Sequence, residues 1–111
     1  MKDDAMAYKE ETMDIIYPNE APVFDGANLT VRFLARVGSE LVVCEISAEA
    51  LEDHFGADSS LESALLDAFE RGQEHIQSVC TDALQRNGGV SVMLRSGLFR
   101  MEGVERNHGT V

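Results

Sequence analysis

Three histidines, two cysteines and a cluster of helical carboxylates are the residues of this sequence that could do chemistry. His54, His75 and His108 could hold a metal ion or move a proton, but none stands at a spacing that brings two imidazoles onto one ion. Glu49, Glu52 and Asp53 lie beside His54, yet carboxylates at the start of a helix ordinarily serve its dipole and its solvation. No metal site, catalytic or structural, is expected. Asp67, Glu70 and Glu74 share a helical face, the arrangement by which carboxylates bind a cation or act as acid and base. Arg71 beside them neutralises part of the cluster, and no aromatic or glycine loop marks a pocket, so the expectation there is a solvated face. A reactive cysteine needs an electropositive, partly exposed setting. Cys44 and Cys80 instead fall on apolar stripes and are expected to be buried free thiols. Gly88-Gly89 lacks the following helix and lysine of a phosphate cradle. No catalytic, cofactor-binding or metal-ligating residue is assigned, and no cofactor is expected.

What remains is a surface. On one side of a hairpin Leu34, Leu41 and Val43 form an apolar patch flanked by Arg32, Arg36 and Glu45. Two covers fit it: the N-terminal segment 13–17 of the same chain, or a second copy or partner protein. The candidate interface is therefore Leu34, Leu41, Val43, Arg32 and Arg36.

That hairpin is set by alternation. Leu29, Val31, Phe33, Ala35 and Val37 take one face, with Thr30, Arg32 and Arg36 on the other. Gly38-Ser39 is a two-residue loop whose glycine can take the positive φ of a type II′ turn, and residues 41–46 resume the strand pattern. This register puts Val31, Phe33, Ala35, Val42, Cys44 and Ile46 on the core face, with Arg32 opposite Glu45 and Leu34 opposite Val43. Before the hairpin, 13–17 reads as an edge strand ended by Pro18, and Pro22 and Asp25-Gly26 mark turns on either side of Val23 and Phe24. After it, Ser47 caps a short helix over 48–55 that closes at Gly56. Ser59 and Glu62 have capping-box spacing and open one long helix, packed through Leu61, Leu65, Ala68, Phe69, Ile76, Val79, Cys80 and Ala83. Gly72 marks a close approach or a slight break in it, and Asn87-Gly88-Gly89 ends it. Residues 90–95 alternate as a closing strand; 98–101 continue it or turn back, with Ser96-Gly97 as a turn or bulge. The fold class is α+β: a small, mainly antiparallel sheet with one short and one long helix on one face.

The 111 residues fit one domain, read as 13–101 between a disordered acidic tail at 1–12 and a flexible tail at 102–111. The net charge of −11, from 20 carboxylates against nine Lys and Arg, argues against direct binding of nucleic acid or an anionic membrane. No segment has the roughly 18 apolar residues of a membrane span, and no signal-peptide core follows the polar start. A cytoplasmic location is expected, and two cysteines are too few to staple a secreted miniature fold.

The stretches Val23-Phe24-Asp25, Val31-Arg32-Phe33 and Val43-Cys44-Glu45-Ile46-Ser47-Ala48-Glu49-Ala50-Leu51-Glu52-Asp53-His54-Phe55-Gly56 resemble a family of small bacterial proteins, domain of unknown function 1488. Cys-x-Ile-Ser-x-x-Ala-Leu-x-x-x-Phe-Gly carries most of the likeness, with Ala68-Phe69, Glu74-x-Ile76 and 92–99 extending it. Gln73 departs from the arginine expected in the family. The resemblance implies a compact α+β fold in a bacterial cytoplasm and supplies no activity.

Three functional readings stand. The first is a non-catalytic accessory or interaction domain, a homodimer or a partner's subunit through the outer hairpin face. The second is a small-ligand or metal-assisted enzyme built from Glu70, Glu74, His75 or His54. The third is an acidic partner of a basic protein, set back by the third or so of the acids that lie in the first 25 residues. The residues argue against an enzyme more than for one.

Overall fold

The computed structural model describes residues 14–99. The tails expected at 1–12 and 102–111 lie outside them. Two long strands form the centre: β3 (Thr30–Val37) and β4 (Glu40–Ser47) pair antiparallel from Val37 opposite Glu40 to Thr30 opposite Ser47. Gly38 takes φ 64° and Ser39 does not share the positive φ, as a type II′ turn requires. The expected register is the observed one, including Arg32 opposite Glu45 and Leu34 opposite Val43.

The other edge of β3 is shared by two short strands. β1 (Ile15–Ile16) pairs at Arg36 and Val37, and β2 (Val23–Asp25) pairs at Thr30 to Arg32, both antiparallel. Pro18 and Pro22 lie between them without an N–H to give, so the ladder lapses opposite Leu34. β5 (Met93–Leu94) joins the far edge of β4 in parallel. The sheet is thus mixed, mostly antiparallel, and the fold is α+β.

Among the described residues, the three helices between β4 and the closing strand lie on one face. In α1 (Ala48–His54), Ser47 Oγ accepts the Ala50 N–H at 3.1 Å, a cap worth about 1 kcal/mol. The single long helix expected from the sequence is two, α2 (Glu62–Arg71) and α3 (Gln73–Arg86). Gly72 separates them because the Phe55 ring presses into the joint: a Cβ on Gly72 would lie 2.2 Å from Phe55 Cδ1. The capping box does not form either. Leu61 stands at the cap of α2 with no side-chain bond, and Ser59 Oγ accepts the Leu61 N–H at 3.3 Å instead.

Two further expectations are corrected. Leu29 is in phase with the core face but has φ 55° and is exposed, because it closes the turn into β3. The closing strand is two residues long, and 96–99 are helical rather than strand, turn or bulge. That helical turn buries Phe99 against Phe55, ring centroids 5.3 Å apart.

Val31, Phe33, Ala35, Cys44 and Ile46 meet Leu51, Leu65, Phe69, Ile76, Cys80 and Leu84 in one core. Each large side chain buried there contributes about 1.5–3 kcal/mol. Among the described residues, this one-sided packing leaves the opposite face of the sheet without a helix. Among the described residues no helix is long and apolar enough to cross a membrane.

Candidate functional site

The chemistry-bearing residues do not converge. Among the described residues no three His, Cys, Asp or Glu side chains gather where a metal ion could sit. Glu70 and Glu74 are exposed. Arg71 pairs with Asp67 four residues back and also donates to the Phe55 and Gly56 carbonyls at 3.1 and 3.3 Å, closing the end of α1. His75 packs edge-on against Phe55 and Phe99. His54 Nε2 lies 3.1 Å from the Ser96 carbonyl and 3.2 Å from its hydroxyl, which donates to Asp53 at 2.6 Å. Asp53 contacts the serine and not the histidine, so this is a tie between α1 and the last helical turn rather than a relay that activates a nucleophile.

Cys44 and Cys80 are free and fully buried, facing one another between β4 and α3. The Cys80 thiol, hydrogen-bonded to Cys44 and cut off from water, is pushed well above the ordinary cysteine range. Beside them Tyr17 donates to the Gln77 carbonyl at 3.0 Å and lies 2.8 Å from Thr81 Oγ1. Burial lifts its phenol far above the usual tyrosine value. These groups anchor β1 to α3.

The outer face of the sheet is different in kind. Strand pairing places Ile16 beside Arg36, Val23 beside Arg32, and Leu41 and Val43 across from Arg36 and Leu34. Ile16, Val23, Leu41 and Val43 are 54, 59, 56 and 45% exposed. The N-terminal strand therefore does not cover the patch. It joins the edge of β3, and Ile16 enlarges the apolar surface.

Where the edge ladder lapses, a notch of about 250 Å³ opens, lined by Glu20, Ala21, Val23, Leu34 and Val43 among others. The bond from Gly38 N–H to the Asp14 carbonyl, 2.9 Å, sets the alternation by which Leu34 turns its backbone groups toward this edge. Arg32 is fixed at the rim by Asp25 at 2.6 Å and Glu45 at 3.4 Å. Asp25 is itself held below the usual carboxylate range by the Asn28 side chain and N–H, with Arg32 adding to the effect. Arg36 and Glu20 have no ion-pair partner among the described residues.

A family model for a protein of unknown function, DUF1488, matches residues 15–94, the span from β1 through β5. The chain belongs to the DUF1488 family. A crystal structure of a DUF1488 protein of unknown function from Shewanella loihica PV-4 superposes with a TM-score of 0.62 at 16% identity, covering 77% of this chain and 94% of that one. At that identity the likeness is one of fold. No curated protein matches the chain.

Of the five interface residues read from sequence, Arg32, Arg36, Leu41 and Val43 are exposed on the outer face and Leu34 is half-buried at the notch. Ile16 and Val23, exposed on that face, and Glu20, lining the notch, are not among the five. The two prolines were the available signal: they interrupt an edge strand, but only pairing with β3 shows that 15–16 and 23–25 lie along the same edge.

Proposed function

We propose that the chain is a non-catalytic protein-interaction domain that docks through the outer face of its sheet. The observation that carries this reading is the set of exposed apolar side chains, Ile16, Val23, Leu41 and Val43, on a face that no helix among the described residues covers and that charged residues rim. Contiguous apolar surface bounded by polar groups is how soluble domains present a binding site. The face is also nearly neutral, with Arg32 and Arg36 against Glu20, Asp25 and Glu45, whereas the chain as a whole carries −11. A bacterial cytoplasm suits this role, since there the two buried thiols stay reduced.

The test is photo-crosslinking in the producing cell, with Leu41 replaced by a photoreactive phenylalanine and, as control, Gln85 on the exposed side of α3 replaced likewise. The expected result is covalent capture of protein, another copy included, from position 41 and none from position 85. A folded chain that captures no protein from position 41 overturns the reading.

A further inference from the structure

Docking through the outer face leaves the identity of the partner open. Resting on that docking reading, we infer that the partner is a second copy of this chain, each copy seating its Leu41 in the other's notch beside Leu34 and setting its Arg36 against the other's Glu20.

The face has two unlike halves. At one end Leu41 stands out at 56% exposure, with Arg36 as its cross-strand neighbour. Toward the β2 edge lies the apolar notch floored by Ala21, Val23, Leu34 and Val43, with Glu20 on its rim. A projecting leucine beside a cation thus shares one face with a recess beside an anion. A two-fold axis lying in the interface and crossing the face between these halves brings knob to notch twice, and cation to anion twice. This is the self-complementarity that an isologous contact needs. Because Arg36 and Glu20 lack ion-pair partners among the described residues, neither has to give up a partner to form the contact.

Charge restricts where two copies can meet. Two chains of −11 repel one another over most of their surfaces, and like charges set face to face are strongly disfavoured. The outer sheet face, where arginines match carboxylates, lets two copies approach. Size is compatible as well. Two eight-residue strands flanked by strands of two, three and two residues fit within roughly 19 by 26 Å at ordinary strand spacings. That is at most about 500 Å² per copy and about 1,000 Å² for the pair, the size of a weak, transient contact. A reversible dimer is expected rather than a permanent one.

The test is sedimentation velocity on the full-length protein over a concentration series, with circular dichroism as the folding control. Wild type should dimerise, and Leu41→Glu should be a folded monomer; Leu41→Gln is run alongside as a milder change at the same site. Arg36→Glu and Glu20→Arg should each weaken the dimer about tenfold or more, since each puts like charges together at two symmetric places. The combined Arg36→Glu, Glu20→Arg protein should recover to within a few-fold of wild type. A wild-type monomer into the hundreds of micromolar overturns the inference, while crosslinking from position 41 to another protein would keep the docking reading alive. A dimer indifferent to the Leu41 variants, or a combined swap that fails to recover, also overturns it.

Discussion

Replacing Gly72 with alanine tests the packing that splits α2 from α3. At an unstrained site this change stabilises a protein by about 0.4–1 kcal/mol, because alanine has less freedom to lose from the unfolded chain. Gly72 has φ −102°, which any residue adopts, so the backbone raises no objection. The obstacle is the Phe55 ring: the new Cβ would stand 2.2 Å from Cδ1, 2.7 Å from Cε1 and 3.2 Å from Cγ. The ring must shift by more than 1 Å to restore ordinary contact at 3.4 Å or beyond. His75 and Phe99 hold it, with centroids at 5.5 and 5.3 Å. Overpacking of this kind costs about 1–3 kcal/mol, leaving a net loss of roughly 1–2 kcal/mol after the entropic gain. Thermal melts should fall by about 4–8 °C per kcal/mol, with urea unfolding followed by circular dichroism giving the free energy. In a Phe55→Ala background the clash is gone, and Gly72→Ala should become neutral or stabilising. A Gly72→Ala protein at least as stable as wild type, or an equal penalty in both backgrounds, refutes the reasoning.

Two further changes probe the core. Because burial raises the Tyr17 phenol, its neutral form contributes full stability below about pH 10, and that contribution is lost as pH climbs further. Tyr17→Phe should lose about 1 kcal/mol at neutral pH, from the bonds to Gln77 and Thr81. The same variant should flatten the alkaline decline in urea-measured stability, and an unchanged slope would count against the assignment. Thr30 Oγ1 is buried without a hydrogen-bond partner. Thr30→Val keeps the shape and removes the unmet hydroxyl, so a gain of about 1 kcal/mol in chemical unfolding is expected; a comparable loss would show that the hydroxyl is satisfied.

The hairpin was legible because two independent signals agree. Gly38-Ser39 fixes the turn, and one register then satisfies both faces, core and charge pair alike. Short-range capping at Ser47 was legible for the same reason. The break at Gly72 was only half legible: apolar spacing runs on from Leu65 to Cys80 across the joint, and the ring that forces the break belongs to Phe55, 17 positions away in the chain. Leu29 kept the alternation of a strand residue while sitting in a turn, since periodicity reports phase and not backbone conformation. The arginines and leucines of the outer face could be read directly. The notch could not, because it is made by what Pro18 and Pro22 prevent on a neighbouring segment.

The interrupted edge has a consequence for growth. β1, β2 and β5 offer outer edges of two, three and two residues, none long enough to template an incoming extended chain. A sheet with an oily surface would otherwise recruit strands side by side, and that kind of addition never closes on itself. With both margins cut short, any association of this sheet is steered away from an open-ended fibre.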